Sequence, residues 1–239
     1  MKAPVLLYHK IDLPTPDVKV RGAYTAPRFF EKQLAYLVRN KIRVVTVGEL
    51  IEHFNQTGSY PERTLAISFD DGWKDNYRNA FPLLKKYGMT ATIYVVADCL
   101  GRTTNQVVAP GEAAREHMTV DDVHEMAACG IEFGSHTMSH SLLNNTSPDE
   151  TEKEIVESKS FVEELTQTQC KTIAYPAGFF TEHAKNSARN AGYLAAFSTI
   201  YGDDDGDDLF ELNRTEILRR DKYMFRFSRK IRSVIVPTL

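Results

Sequence analysis

Two adjacent carboxylates, Asp70 and Asp71, follow directly on Leu65 to Phe69, an apolar run with the length of a buried strand. The carboxyl end of a strand is where α/β proteins place catalytic and binding groups. Asp-Asp-Gly is also a good turn sequence, and taken alone it favours a turn over a site. The acidic pair therefore indicates chemistry only if other reactive side chains reach the same edge.

Two histidines, His136 and His140, are four positions apart and come just after a second short apolar run, Ile131 to Phe133. Their spacing predicts that both rings lie on one side of a helical turn, within reach of a single metal ion. With one carboxylate of the acidic pair they would form a two-histidine, one-carboxylate site that leaves positions open for water and substrate. A lone histidine is usually a surface or core residue, but this combination predicts a metal site.

A third candidate strand end, Ala174, runs into Tyr175-Pro176-Ala177-Gly178, a turn whose N–H groups could face a developing oxyanion or could simply turn the chain. The three segments together resemble the polysaccharide deacetylases with a NodB-homology domain, carbohydrate esterase family 4. The first motif of that family, Thr/Ser-Phe-Asp-Asp-Gly, corresponds to Ser68–Gly72, and the second, His-Ser/Thr-x-x-His, to His136–His140. The resemblance extends from about Leu65 to Phe197.

This resemblance implies a role for each motif residue. It implies that Asp70 is the general base and that the N–H of Ala177 contributes to an oxyanion hole. The metal ligands that it implies are Asp71, His136 and His140, holding one divalent ion, with zinc favoured over other transition metals. The implied reaction is hydrolysis of the N-acetyl amide of a sugar or polysaccharide, which releases acetate and a free amine. The implied partner is an N-acetylated glycan.

The sequence departs from the family pattern at two places. Arginine often begins the third motif, where Ala174 stands, and no Leu-x-His motif is found near the carboxyl end. The general acid must therefore come from elsewhere. The early Leu7-Tyr8-His9 and the Ala-Tyr-Pro form of the third motif resemble the branch that contains the poly-N-acetylglucosamine deacetylases. His9 is favoured over His183 as the acid or as a substrate ligand, and either histidine could be structural.

Apolar runs of strand length alternate with segments of helical period through most of the chain, which predicts βα units around a parallel sheet or barrel. Helices are expected from Pro27 and from Pro148 to about Glu164, where Ser147 and Glu150 can form a capping box. The resemblance implies a distorted (β/α) barrel with fewer than eight full repeats. We therefore expect an α/β fold in one domain over residues 1–239, with about seven parallel strands. The candidate strands are Val5 to Tyr8, Arg43 to Val47, Leu65 to Phe69, Thr90 to Val96, Ile131 to Phe133, Thr172 to Ala174 and Tyr193 to Ser198.

Composition places the chain among ordinary soluble globular proteins, with 42% hydrophobic and 26% charged residues. The net charge of −3 gives no general attraction to nucleic acid. The apolar run Val5 to Tyr8 ends at His9 and Lys10, so it is too short for a signal peptide or a membrane span. A cytoplasmic location is expected, although a leader removed earlier would leave no trace.

Three stretches fall outside the alternating pattern. Ala97 to His117 is long and poor in strands, which predicts an insertion over one face of the domain. Gly202 to Asp208 holds five aspartates and two glycines and is more typical of a solvated loop than of a calcium site. The tail, at about 219–239, is basic from Arg219 to Arg232 and has interleaved aromatic residues. A helix packed on the barrel is favoured there over contact with an anionic membrane surface, which would make the protein peripheral to the membrane.

Two other functions stay open. De-N-acylation, or hydrolysis of a related C–N bond, in a small or lipid-linked molecule would use the same metal core, since the loops select the substrate. A non-catalytic carbohydrate-binding module would keep the fold and lack turnover. Asp70 argues against the binding module, because such a module has no need for a second carboxylate beside the ligand Asp71.

Overall fold

The computed structural model describes residues 3–199 and 208–235 of the chain. Within these ranges strands alternate with helices, as the apolar pattern predicts. The strands are β1 (Val5–Tyr8), β2 (Arg43–Val45), β3 (Thr64–Phe69), β4 (Thr92–Val95), β5 (Thr103–Thr104), β6 (Arg115–Glu116), β7 (Glu132–Ser135), β8 (Thr172–Ala174), β9 (Ala195–Ser198), β10 (Leu212–Asn213) and β11 (Thr215–Glu216). The helices are α1 (Pro27–Arg39), α2 (Val47–Thr57), α3 (Phe81–Tyr87), α4 (Val120–Ala128), α5 (Pro148–Thr166), α6 (Glu182–Asn190) and α7 (Met224–Val234).

A nearly closed barrel of parallel strands forms the centre of the fold. Among the described residues, eight strands follow one another in the order β10-β9-β8-β7-β4-β3-β1-β11, and β2 pairs with the first half of β3. The two ends of this order, β10 and β11, are separated in the chain by Arg214 alone, so the chain itself links the two edges. The expected distorted (β/α) barrel is confirmed, with more strands than the seven predicted.

The strand prediction was wrong in two ways. It omitted β10 and β11, because each has only two residues, too few to form a recognisable apolar run. The predicted strand Arg43 to Val47 is too long, because Thr46 ends it by capping helix α2. The Thr46 hydroxyl accepts the N–H of Glu49 at 3.1 Å, and the Glu49 carboxylate accepts the N–H of Thr46 at 2.9 Å. The capping box makes Val47 the first helical residue.

The two helices expected from prolines are both present. Helix α1 begins at Pro27, with Phe30, Leu34 and Leu37 on its buried side. Helix α5 begins at Pro148 after the predicted capping box of Ser147 and Glu150, and it continues to Thr166. Proline at the first helical position loses no helical hydrogen bond, which explains why both helices begin there.

Alternate residues of the barrel strands belong to two separate apolar clusters. Ile67 belongs to the cluster shared with the helices, whereas its neighbour Ala66 belongs with Tyr94 to the other. Successive side chains of a strand point to opposite faces, so the second cluster fills the barrel. Ser68 and Asp70 continue the inward row of Ala66 and are buried. The barrel interior therefore changes from apolar to polar toward the carboxyl ends of its strands.

The structure describes the first irregular stretch in full and one residue of the aspartate-rich stretch. Residues 97–117 contain the short antiparallel hairpin of β5 and β6, and they supply part of a cavity wall at the carboxyl ends of the barrel strands. Of the aspartate-rich stretch 202–208, residues 202–207 lie outside the described part of the chain. The described residue, Asp208, forms ion pairs with Lys185 and Arg189 of α6.

The basic tail forms helix α7, which packs on the outer layer of the barrel. Phe227 meets the ring of Tyr36 in α1 edge to face, with 5.7 Å between ring centres. Tyr223 and Phe225 are instead 53% and 67% exposed. Residues 236–239 of the tail lie outside the described part. None of the helices in the described ranges is both long and apolar enough to cross a membrane.

Candidate active site

A cavity of about 290 Å³ opens at the carboxyl ends of the barrel strands. Its wall contains the six residues that the sequence analysis assigned to the active site: His9, Asp70, Asp71, His136, His140 and Ala177. The alternative acid, His183, lies elsewhere. It is exposed, and its Nε2 is 3.1 Å from the carbonyl oxygen of Pro148. His9 therefore remains the candidate for the general acid or substrate ligand, because His183 does not line this cavity.

Three predicted metal ligands converge on one point. Asp71 Oδ1 lies 3.5 Å from Nε2 of His136 and 3.5 Å from Nε2 of His140. The ligand atoms of the three residues all lie within 4.8 Å of one another. Two donors that bind a tetrahedral zinc ion at about 2.0–2.1 Å are roughly 3.3–3.4 Å apart. The spacing, with two imidazole nitrogens and one carboxylate oxygen as donors, fits a divalent transition metal.

Neighbouring groups hold these donors in position. His136 Nδ1 lies 2.7 Å from the carbonyl oxygen of Ala174, which can only accept, so Nδ1 carries the proton and Nε2 is left with a lone pair. Trp73 Nε1 donates to Asp71 Oδ2 over 2.7 Å and leaves Oδ1 facing the histidines. His117 stacks on Trp73 with ring centres 4.3 Å apart, and its Nδ1 lies 3.0 Å from the Asp71 carbonyl oxygen.

The histidine pair lies in an irregular loop after β7, so the expected helical turn was wrong. Thr137 and His140 have φ angles of 66° and 63°, left-handed values that a right-handed helix excludes. Ser135 Oγ accepts the N–H of Thr137 at 3.1 Å, and Thr137 Oγ1 accepts the N–H of His140 at 3.1 Å. These side-chain bonds replace the helical bonds and still turn both imidazoles toward Asp71.

The turn after β8 brings Ala177 into the cavity. Ala177 has a φ of 52°, and Gly178 follows with 76°. A Cβ on Gly178 would lie 2.6 Å from the backbone nitrogen of Thr199, so this position requires glycine. Seven non-glycine residues of the described chain have positive φ, and four belong to this site: Asp71, Thr137, His140 and Ala177. Such strain is concentrated at functional positions in proteins.

The charges around the metal centre act differently on its three ligands. Burial would lower the pKa of His136, but the carboxylates of Asp70 and Asp71 raise it. Burial would raise the pKa of Asp71, but the neighbouring histidines, His136 foremost, hold it well below its ordinary value. Burial, reinforced by the charge of His136, lowers the pKa of His140 to about 4. At neutral pH Asp71 is therefore ionised and His140 is neutral, which are the forms that coordinate a metal.

Asp70 forms a buried bidentate ion pair with Arg214. Nη1 of Arg214 lies 2.7 Å from Oδ1, and Nη2 lies 2.6 Å from Oδ2. The Arg214 side chain is fully buried, and its Nη1 lies 3.2 Å from Ser68 Oγ. Its guanidinium carbon lies 5.3 Å from the ring centre of Tyr94 and 5.9 Å from that of Phe197. Burial would raise the pKa of Asp70, but the guanidinium outweighs burial and lowers it. The carboxylate is thus ionised at neutral pH, and its oxygens retain lone pairs for a proton.

His9 reaches the cavity from the end of β1. Its carbonyl oxygen accepts a hydrogen bond from Asn76 Nδ2 at 2.9 Å, which fixes the backbone there. The Nδ1 atom of its ring is buried and has no hydrogen-bond partner within residues 3–199 and 208–235. The described fold therefore leaves this ring nitrogen without a partner, while the residue itself lines the cavity.

A model of the polysaccharide deacetylase family matches residues 57–196, more than half of the chain. The chain belongs to the polysaccharide deacetylase family. A Bacillus subtilis protein assigned to the polysaccharide deacetylases is 30% identical over 217 residues, which cover 90% of this chain and 71% of that protein. A Staphylococcus aureus poly-beta-1,6-N-acetyl-D-glucosamine N-deacetylase is 26% identical over 180 residues. That match covers 71% of this chain and 59% of the length of the Staphylococcus protein.

Solved structures show the same architecture as this polysaccharide deacetylase. A polysaccharide deacetylase from Bacillus cereus superimposes with a TM-score of 0.77 at 26% identity, over 97% of this chain and 69% of that one. A Streptococcus pyogenes deacetylase, solved in complex with acetate, has a TM-score of 0.81 at 24% identity, over 99% of both chains. The likeness to the second structure concerns the fold.

Three residues of the deacetylase site were not predicted from the sequence. The arginine that often begins the third motif is replaced by Ala174, and the structure brings Arg214 to the acidic pair from the join of β10 and β11. Trp73 had a usable signal, since it is the single tryptophan of the chain and follows the acidic pair by two positions. His117 belongs to no motif, and only the fold brings it to Trp73.

Proposed function

We propose that this polysaccharide deacetylase removes N-acetyl groups from the sugar units of a glycan and uses one divalent metal ion, with zinc as the first candidate. The observation that carries the proposal is the convergence of Asp71, His136 and His140 beside the ionised Asp70 in one cavity. The Staphylococcus relative is named for the N-deacetylation of poly-beta-1,6-N-acetyl-D-glucosamine. That name supports a polymer of N-acetylglucosamine as the substrate class.

An amide is a poor electrophile, so its hydrolysis needs an activated water and positive charge beside the carbonyl oxygen. A bound divalent metal supplies both, because it lowers the pKa of water and polarises the acetyl oxygen. Asp71 Oδ1 and the Nε2 atoms of His136 and His140 would hold it. Asp70 would accept the proton of the attacking water on a carboxylate oxygen, and Arg214 would keep that carboxylate ionised and in place.

Two other groups would act on the charge that develops during the reaction. The N–H of Ala177 would donate a hydrogen bond to the acetyl oxygen as it becomes negative. His9 would donate a proton from its ring to the nitrogen of the departing amine, since His9 lines the cavity beside the three clustered ligands. The products would be acetate and a free amino sugar.

The two alternative functions differ in their support. A non-catalytic binding module would gain nothing from Asp70, whose burial with Arg214 carries a desolvation cost of several kcal/mol per ion. De-N-acylation of a small or lipid-linked molecule remains the second candidate, because the same metal centre would serve other acyl groups.

An acetate-release assay tests the proposal directly. Zinc-loaded protein is expected to release acetate from N-acetylglucosamine oligomers and polymers and to leave one free amine for each acetate, as measured by coupled acetate detection and amine labelling. N-acylated lipids and small N-acyl amides are the comparison substrates. Release of acid from those compounds, with none from any N-acetylated glycan, would favour the second candidate instead.

Replacement of His9 by Ala tests its role as the acid. Turnover is expected to fall by about 10²–10⁴-fold because the departing amine loses its proton donor. Metal content should not change, since His9 is not one of the three clustered ligands. Metal analysis and pH–rate profiles measure the two effects, and His183→Ala is the matched control. An unchanged pH–rate profile in His9→Ala would assign the acid to another group.

We also propose that helix α7 makes a weak contact with an anionic membrane surface, whereas the cytoplasmic location remains a prediction. The exposed rings of Tyr223 and Phe225 lie among basic side chains, and the Arg226 guanidinium carbon lies 5.7 Å from the centre of the Phe225 ring. Co-sedimentation with anionic vesicles is expected at low salt and should weaken in Phe225→Asp and at high salt. Val156→Asp, at an exposed position of helix α5, is the control. Equal binding by both variants, or none by the unaltered protein, would rule out this contact.

A further inference from the structure

A small cavity of about 90 Å³ lies at the amino end of helix α1. Its wall comes from three parts of the chain: the loop after β1, the first turn of α1 and the short 3₁₀ helix Arg219–Lys222 that precedes α7. None of the six residues assigned to the active site lines it. The mechanism proposed above therefore makes no use of this cavity.

The first turn of α1 lacks the groups that usually satisfy a helix amino terminus. The residue before it, Ala26, has no side chain that could cap the helix, and the turn contains no acidic side chain. Pro27 has no N–H, and the N–H groups of Phe29 and Phe30 both donate to the Ala26 carbonyl oxygen, at 2.8 and 3.1 Å. The N–H of Arg28 has no acceptor among the described residues. The positive end of the helix dipole therefore meets no negative side chain of its own turn.

A buried hydroxyl at the same place also lacks a partner. Thr25 lines the cavity and is 4% exposed, and its Oγ1 forms no hydrogen bond within residues 3–199 and 208–235. Its backbone is held in place, since the Thr25 N–H donates to the Lys10 carbonyl oxygen at 2.8 Å. A buried hydroxyl without a partner is costly, and folded proteins seldom leave one. The hydroxyl can turn its hydrogen toward an acceptor that enters the cavity.

Three cationic side chains of the wall have no carboxylate partner. Within the described ranges, Arg28, Arg219 and Lys222 form no ion pair. Against their charges the wall contributes one carboxylate, that of Asp12, whose Oδ1 accepts the N–H of Leu13 at 2.7 Å. Like charges at one place repel one another, and the helix dipole adds to their field. The wall therefore has an excess of positive charge that an anion would neutralise.

The size of the cavity and its donors indicate a phosphate group. The volume is about three times the share of one water molecule in the liquid, which suits a small tetrahedral anion. Guanidinium groups bind two phosphate oxygens at once, and N–H groups at a helix amino terminus bind phosphate directly. An apolar ligand would instead leave the Thr25 hydroxyl and the cations without partners.

We propose that this cavity is a phosphate-binding site, with hydrogen bonds from Thr25 and the first turn of α1 and positive charge from the three unpaired cations. The phosphate is either a free ion or the head group of an anionic lipid. The position of the cavity suits a lipid, because Arg219 and Lys222 directly precede the exposed ring of Tyr223. A lipid phosphate held there would set the orientation of α7 on a membrane. The site does not depend on the deacetylase function.

Calorimetric titration of the zinc-loaded protein with inorganic phosphate, at constant ionic strength, tests the site. Thr25→Val keeps the side-chain shape and lacks the hydroxyl, and Arg219→Gln removes one cation, so each should weaken binding by about tenfold or more. Arg220→Gln, the matched control, removes the same charge from an exposed position outside the cavity and should leave the affinity unchanged. Equal affinity in all these proteins, as phosphate bound to the metal ion would give, or no binding, overturns the proposal.

Phosphatidylglycerol vesicles separate the two sources of phosphate. If the site takes a lipid head group, Thr25→Val should weaken co-sedimentation with these vesicles, and inorganic phosphate should compete better than chloride at equal ionic strength. Because Thr25 carries no charge, a general attraction to an anionic surface would not show this effect. If the site takes the free ion, Thr25→Val should bind the vesicles as the unaltered protein does and still lose affinity for inorganic phosphate.

Discussion

Removal of either histidine of the metal centre is expected to empty it and to stop turnover. His136→Ala or His140→Ala leaves Asp71 and one imidazole, too few donors to retain the ion at one per chain. Loss of a residue that hydrogen-bonds to a metal ligand typically lowers metal affinity or activity by about 10–100-fold. Loss of a direct ligand should therefore lower metal affinity and activity by more than about 100-fold. Metal analysis and acetate release on the same samples measure both effects.

Chelation provides the reversible form of this experiment. Activity should disappear with a strong chelator and return when Zn²⁺ is restored, because the fold around the site is held by protein contacts such as that of Trp73 with Asp71. His183→Ala controls for the loss of an imidazole away from the cavity. One metal per chain in both His136→Ala and His140→Ala would contradict the assigned ligands.

The second large effect is expected at the buried pair of Asp70 and Arg214. Asp70→Asn removes the proton acceptor and keeps all three metal ligands, so turnover should fall by about 10²–10⁴-fold at unchanged metal content. The ratio of the two rates measures the catalytic role, and a non-catalytic binding module would show no difference. Equal turnover in Asp70→Asn and the unaltered protein would exclude Asp70 as the base.

Arg214→Met should affect both stability and pH dependence. It leaves a buried carboxylate without its partner, which typically costs about 3–5 kcal/mol of unfolding free energy. Burial, no longer opposed, would raise the pKa of Asp70, so the acid limb of the pH–rate profile should move to higher pH. Arg214→Lys keeps the charge and should shift the limb less. A limb at the same pH in both variants would show that Arg214 does not control the base.

The predictable part of the site is the part carried by short motifs at strand ends. Asp70 and Asp71 follow β3, His136 follows β7 and Ala177 follows β8, and parallel order brings these carboxyl ends to one edge. Alternating apolar runs were enough to predict βα units around a parallel sheet or barrel, because each interior strand is buried on both faces. The resemblance to the family implied the barrel. The local signals and the global fold agree at these positions.

The parts that were missed depend on contacts between distant residues or on backbone detail. Arg214 lies 144 positions from Asp70, beside strands too short to show a pattern, so only barrel closure reveals it. A spacing of four suits a helix or a loop, and the hydroxyls of Ser135 and Thr137 select the loop. The spacing of the two histidines alone does not show that neighbouring hydroxyl groups accept the backbone N–H groups that a helix would use.

The position of Arg214 also has a consequence for how the chain folds. Because β11 pairs with β1, the first barrel strand of the described chain joins a strand that is synthesised after the other described barrel strands. Until β10 and β11 emerge from the ribosome, β1 and β9 are exposed sheet edges and the buried charge of Asp70 has no guanidinium beside it. Contacts of such sequence separation form late and expose intermediates to aggregation. A chain shortened before residue 214 would therefore lack more than a tail, since the barrel edges would stay open and Asp70 would be uncompensated.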